Sequence, residues 1–322
     1  MENDNYIRGT SHQANSFGKL IWKKFTGSPS ALISAFFIIF AIIFSFIGPM
    51  ISPYAYDQTI KGSENLAPSL DHWLGTDSLG RDILVRLMIG TRISLAVGLM
   101  ASFATLVIGT VYGSISGLAS ARVDNIMMRI VDIIYSMPDV LIIILLSVTL
   151  KRPLEKFFSR FLFSGSSAGA AVPVVAMFVV FALLYWVSMA RIVRSRVISM
   201  RSEDYILAAK IMGASKVRII FRHLLPNLSG PILVTATLQI PSAIYAETFL
   251  SFIGLGISAP RASLGSMVSD SLNGVYTYPL RLVYPALVIA LLILSFNRLG
   301  DSLRDAFDPR IYNKSITDYI RD

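Results

Sequence analysis

The chain has 322 residues, of which 54% are hydrophobic and only 15% charged; the mean hydropathy is +0.62 and the formal net charge +9. A soluble domain carries about 25% charged residues, so this balance indicates one multi-pass membrane unit. The absence of cysteine excludes disulfides, thiolate metal sites and a cysteine nucleophile. The basic excess lacks the aromatic–basic interleaving of a nucleic-acid groove, so nucleic acid is not an expected partner.

Residues 1–30 are polar and form an N-terminal segment. The apolar run 31–51 is too long for a signal-peptide core and ends in Gly48-Pro49-Met50-Ile51-Ser52-Pro53 without an Ala-x-Ala site, so it reads as a retained first span. The segment 52–92 follows as a loop. Its end, with Ile83, Leu84, Leu87 and Met88 at helical spacing among Arg81, Asp82 and Arg86, predicts an amphipathic lead-in helix. A second span covers 93–118. Its small residues Gly98, Ser102, Thr105, Gly109, Gly113, Ser116 and Gly117 suit close helix contact, within the chain or against a second subunit.

A third span is expected over 133–150, interrupted by Pro138-Asp139, and a fourth over 168–190. A fifth covers 231–252 and carries Glu247; a sixth, 282–296, is short. A spanning helix needs about 20 mostly apolar residues. Six spans put both termini on one side. Most of the 29 Lys and Arg residues fall in the N-terminal segment, the second-to-third connection, the 191–226 loop and the 299–322 tail, which makes that side cytosolic. Lys151, Arg152, Lys156 and Arg160 run against this pattern in an expected outer loop.

Two acids fall inside the spans. Intramembrane carboxylates are costly and face a cavity or a partner, so Asp139 and Glu247 are candidates for the translocation path or a gate, against the plainer reading of structural hydrogen bonds. Ser263-Leu264-Gly265-Ser266, with Gly254 and Gly256 before it, reads as an irregular outer segment, either a contact surface or a tight turn. His12, His72 and His223 are scattered, no metal-ligand spacing occurs, and Gly18-Lys19 is followed by Leu20, so no phosphate-binding P-loop exists. Energy must come from a partner or an ion gradient.

The loop 191–226 holds the densest signal. Ser202 is placed to cap a helix, with Glu203 and Asp204 in its first turn. Tyr205, Ala208, Ala209 and Met212 recur at i, i+3, i+4 and i+7 as one face. Gly213 suits a left-handed stop. Ser215 is placed to cap a second helix whose Val217, Ile220, Phe221 and Leu224 share a face, and Pro226 marks a turn into the fifth span. Alone, this could be a solvated topology anchor, but topology needs only charge, and not the Ala-Ala, Gly and Leu-Pro punctuation.

Ala208-Ala209, Gly213 and Leu225-Pro226 have the spacing of the EAA loop of ABC-importer permeases. The loop resembles that of the dipeptide/oligopeptide permease family, OppC/DppC-type subunit. LGTDSLGRDILVRLMIGTRISL (74–95), ETFLSFIGLG (247–256) with SLGSM (263–267), and LGDSLRDAFDPR (299–310) extend the resemblance over about 70–310. Leu207 stands where the family pattern has a glutamate.

The resemblance implies an all-α type I ABC importer permease (MetI-like) fold with six transmembrane helices, the core being 93–298. It implies a cell-membrane protein that is not an enzyme and binds no cofactor, with ATP and Mg used by partner ATPases. The implied partners are a second permease (OppB/DppB-type), two cytosolic ABC ATPase subunits, an extracytoplasmic substrate-binding protein and the lipid bilayer. It also implies that Tyr205, Ala208, Ala209, Gly213, Ala214, Leu225 and Pro226 form the coupling loop on an ATPase. The expected cargo is peptide; the alternatives are nickel or another solute of the family, or an ion-gradient-driven secondary transporter, whose internal repeats are not evident here.

Overall fold

The computed structural model describes residues 24–161, 168–257 and 261–307. Residues 1–23 of the N-terminal segment and 308–322 of the tail, with the end of the 299–310 motif, lie outside the described residues. Among the described residues the architecture is all helical, apart from a single bridge between Thr76 and Asp82.

Helix α1 (Pro29–Phe46) begins at Ser28, whose side chain accepts a hydrogen bond from the Ala31 N–H, and Pro29 supplies the fixed φ of the first turn. Helix α2 (Ile83–Leu118) is continuous, with one π turn at Thr105–Gly109. The expected lead-in helix over 83–92 is present as the start of α2, continuous with the span. Asp82 caps α2 by accepting from the Val85 N–H at 2.9 Å. Arg81, Asp82 and Arg86, which made the stretch look amphipathic, are all buried.

Helix α3 (Ala121–Tyr135) is followed by α4 (Asp139–Phe161) and meets its first part, Asp139–Leu150, at 88°. The break falls at Ser136-Met137-Pro138, because a residue before proline is pushed out of helical geometry. The apolar stretch expected from 133 therefore starts at Asp139. Helices α5 (Ala168–Leu184) and α6 (Trp186–Met200) make one long rod, so the chain stays helical well past residue 191, where the loop was expected to begin. Helix α7 (Asp204–Ile211) is short. Helix α8 (Lys216–Ile219) passes through a π turn at Ile220–Leu224 straight into α9 (Leu225–Phe252). Helix α10 (Leu264–Ser271) and the 28-residue α11 (Leu280–Phe307) complete the order, so the short sixth apolar run is part of a long helix.

Among the described residues, four stretches are long and apolar enough to cross a membrane: Pro29–Ile51, Ile83–Leu118, Val174–Met200 and Leu280–Phe307; the bent α3–α4 pair makes a fifth if counted as one. The protein is thus a polytopic all-α membrane protein. Helix α9 is also long, at 28 residues, but its apolar run is interrupted by Thr235, Thr237, Gln239 and Glu247. It packs against both α2 and α11 at the centre of the bundle, and a helix surrounded by protein needs little lipid-compatible surface.

The small residues of α2 are used within the chain. A Cβ at Gly98 would meet Ile244 at 2.9 Å, at Gly109 Met189 at 2.5 Å, at Gly113 the Ala190 carbonyl at 2.5 Å and at Gly117 Val197 at 2.6 Å. Helix α2 therefore lies tightly against α6 and α9, and Ser102 Oγ donates to the Ala236 carbonyl at 2.6 Å.

The bundle has two distinct ends. At one, the cap formed by 52–82 gathers the end of α1 and the starts of α2, α10 and α11: Arg92 donates to the Ser45 carbonyl at 2.9 Å and Arg281 to Asn65 Oδ1 at 2.7 Å. At the other, the basic end, Lys24 donates to the Asp305 carbonyl and Gly230 lies against Phe307, so both ends of the described chain meet there beside α7 and α8.

Candidate functional site

The α7–α8 loop is held from beneath. Ile206 of α7, Ile219 of α8 and Leu224 and Leu228 beyond it are buried in one cluster with Met189, Val193 and Val197 of α6, and Ala209 of α7 is buried as well. Burying a side chain of that size contributes about 1.5–3 kcal/mol each, so the loop moves with α6 and α9 rather than independently of them. Glu203 occupies the N-cap of α7 without a side-chain hydrogen bond, and Ser202 Oγ donates to the Ser199 carbonyl; this corrects the expected Ser202 cap.

Helix α7 ends as a Schellman motif. The Gly213 N–H donates to the Lys210 carbonyl and the Ala214 N–H to the Ala209 carbonyl, both at 3.0 Å. Gly213 has φ +80°, as its place after the periodic run predicts. Ala209 is buried and Ala214 packs on the same cluster, so these two residues close the motif from inside. Ser215 caps α8, its side chain accepting from the Arg218 N–H at 3.3 Å.

Pro226 does not turn the chain. The π turn ahead of it lets the Leu225 N–H reach the Ile220 carbonyl, and the widened turn accommodates a proline that has no N–H of its own. The extra residue also rotates the helix faces. Val217 and Phe221 point outward while Ile219 and Leu224 point inward, so the expected shared face is split.

The predicted residues thus fall into two sets. Ala209, Ala214 and Leu225 anchor the loop, whereas Tyr205, Ala208, Gly213 and Pro226 face out. The Tyr205 ring lies 6.4 Å from His223, and partial burial, reinforced by the charge of Glu203, raises its phenol pKa. Leu207, Met212 at 81% exposure, Val217 and Phe221 complete the outer surface, together with Ile211 at 86%, which the sequence patterns did not pick out. The signal for Ile211 was its place beside Met212 in the last turn of α7, outside the i, i+3, i+4 face.

Asp139 and Glu247 are not brought together. Asp139 is exposed at the start of α4, where it lines a cleft of about 490 Å³ with Tyr185, Ser188, Gln239, Tyr245 and Asn297. Glu247 is fully buried. It accepts hydrogen bonds from Ser94 Oγ at 2.7 Å and Ser251 Oγ at 2.8 Å, and Ser251 Oγ in turn accepts from the Ile257 N–H at 3.0 Å. Its neighbours Ala246 and Leu250 line the cleft.

Comparison with known proteins adds the decisive observation. Residues 109–313 match the family model of the binding-protein-dependent transport system inner membrane component, and 16–68 match the N-terminal TM domain of oligopeptide transport permease C. The chain belongs to the OppC/DppC-type family of transport permeases. The permease is 41% identical to the oligopeptide transport system permease protein OppC of Bacillus subtilis, over 90% of each chain. It is 41% identical to the dipeptide transport system permease protein DppC of the same organism, over 92% of this chain and 87% of that one. Identity to the Escherichia coli OppC is 36% over 96% and 98%. Members of this family are membrane components of transport systems and not enzymes.

The 74–95 and 247–267 motifs find their physical meaning in the cap of the permease. Asp77 accepts from Arg81 Nε at 2.7 Å and lies 3.5 Å from Arg86 Nε, while Arg86 Nη2 donates to Asp270 at 3.1 Å. His72 pairs with Asp82 at 2.8 Å beneath the ring of Tyr54. Ser263 and Ser266 form a reciprocal capping box, and Leu264, Gly265, Ser266 and Met267 are buried. The 263–266 segment is therefore an inserted helix start and not an open outer surface. Sequence reasoning missed this network because Asp270, which closes it, lies 184 residues from Arg86.

Proposed function

We propose that the permease is one half of the translocation pathway of a peptide importer, with six spans in a MetI-like arrangement. It is driven by two cytosolic ABC ATPase subunits that hold ATP and Mg, paired with an OppB/DppB-type second permease, and supplied by an extracytoplasmic substrate-binding protein. Support for peptide cargo comes from the oligopeptide and dipeptide systems named for the relatives. The observation that carries the mechanism is the α7–α8 loop. Its exposed apolar surface is seated on buried contacts to α6 and α9, so force applied to the loop reaches both helices. An exposed apolar patch bordered by charge is the ordinary form of a protein docking site.

In this reading Tyr205, Ala208, Gly213 and Pro226, with Ile211 and Met212, contact the ATPase, while Ala209, Ala214 and Leu225 transmit its motion. Asp139 belongs to the path, and Glu247 fixes α2 to α9 beside it. The basic end is cytosolic. Cysteines replacing Ser11, Ser69 and Ser315 test the orientation in this cysteine-free chain: impermeant thiol reagents outside intact cells should label only the replacement at Ser69. The assembled complex in vesicles should take up peptide in an ATP-dependent manner and the lone permease should not; ATP-dependent uptake by the lone chain would refute the assignment.

A further inference from the structure

Helix α3 has a second face that the transport reading leaves without a role. Val123, Ile126, Ile130 and Ile133 recur at three- and four-residue steps and are all exposed. The opposite side is engaged by the bundle. Val131 is fully buried, Asp124 pairs with Arg194 at 2.6 Å and accepts from Ser116 Oγ at 2.6 Å, Asp132 pairs with Arg191, and Tyr112 Oη donates to the Met127 carbonyl. Both acids of the helix are thus taken up by arginines of α6. Its bases are not: Arg122 and Arg129 are exposed, and among the described residues no carboxylate pairs with either. At 3.6 residues per turn the two arginines share one side and border the apolar stripe at the edge remote from α6.

Three observations indicate what covers the stripe. The helix stands at 88° to the apolar run Asp139–Leu150, so where that run crosses the bilayer α3 lies close to the membrane plane. The exposed apolar surface continues round the bend through Met137, Leu141 and Leu145. Unpaired arginines beside an apolar stripe complement anionic headgroups above acyl chains. We propose that α3 is an interfacial helix, its Val123–Ile133 stripe at the acyl boundary and Arg122 and Arg129 on the headgroups of anionic lipid. The inference requires only that the chain is membrane-embedded and holds whichever end is cytosolic.

The test uses the full-length permease expressed with its transport partners and reconstituted in vesicles. Single cysteines replace Ile126, Ile130 or, as a control on the polar side, Asn125, and each carries a bimane fluorophore. A lipid bearing a spin label high on its acyl chain should remove most of the emission at 126 and 130 and leave that at 125. Emission at 126 and 130 that is untouched by the lipid label overturns the proposal in favour of a protein-covered face. Quenching at 126 should also be stronger in phosphatidylglycerol than in phosphatidylcholine vesicles, and the combined Arg122→Gln and Arg129→Gln variant should abolish that difference. Equal quenching in the two lipids for the unsubstituted arginines contradicts the headgroup assignment.

Discussion

The two ends of the permease handle their exposed chemistry in opposite ways. At the cap, Arg86 is 2% exposed and sits between Asp77 and Asp270, His72 is paired with Asp82, and Ser263 and Ser266 satisfy one another. At the basic end, α7 is pinned by Ile206 and Ala209 while Ile211, Met212, Val217 and Phe221 stand in the open. The charged groups of the cap find their partners within the chain. The loop completes only its lower half, and its outer half makes energetic sense when another surface covers it. A disturbance at the cap should therefore register as lost stability of the permease, and a disturbance on the outer loop as lost coupling.

The largest effect should come from Arg86→Ala. The side chain is 2% exposed and bridges Asp77 and Asp270, so truncating it leaves a cavity and takes a partner from both, at a cost of about 2–5 kcal/mol. Thermal unfolding of the purified complex should show it, and an unchanged midpoint would break the distinction between the two ends. Gly265→Val comes next. A Cβ there would meet the Thr248 carbonyl at 2.2 Å, and backbone has little room to yield, so overpacking should cost about 1–3 kcal/mol, again read as stability.

Gly213→Val should behave differently. Its left-handed φ makes a branched side chain unfavourable by about 1–2 kcal/mol, yet nothing lies within 4 Å of the new Cβ. The variant should insert and fold, bind ATPase subunits more weakly, and uncouple ATP hydrolysis from uptake. The smallest effect belongs to Arg218→Ala, which is exposed and outside the apolar surface; stability should stay within about 0.5 kcal/mol and coupling should be nearly unchanged. A coupling loss at Arg218 as large as that at Gly213 would mean that charge, and not the apolar patch, does the docking.

The same contrast explains what could be read from the sequence. Local rules carried the loop: the left-handed Gly213 and the Ser215 cap each follow from residues within one or two turns, as does the break at Pro138 between α3 and α4. Local rules also failed there once geometry was displaced. The π turn at Ile220–Leu224 carries the helix through Pro226 and turns Leu224 inward, away from the exposed Val217 and Phe221, and nothing in the Leu-Pro spacing signals an extra residue in a turn. The cap was illegible for a different reason. Arg86 and Asp270 are 184 residues apart, so charges that look like a solvated helix face become a buried cluster only through tertiary contact. Helix α9 shows the same limit: its polar residues are explained by neighbours that its own sequence does not reveal.

The central claim is that the outer half of the α7–α8 loop is a docking surface and not a solvated anchor. The most direct measurement is co-purification of the ATPase subunits with the Ile211→Asp, Met212→Asp double variant, alongside its thermal midpoint and peptide uptake. Both side chains are exposed, so the permease should keep its stability to within about 0.5 kcal/mol per substitution, while charge placed at the centre of a docking patch should cost about 2–4 kcal/mol of association, and uptake should be lost. If the double variant retains its ATPase subunits and transports at the original rate, the exposed apolar surface is not where they bind, and the account fails.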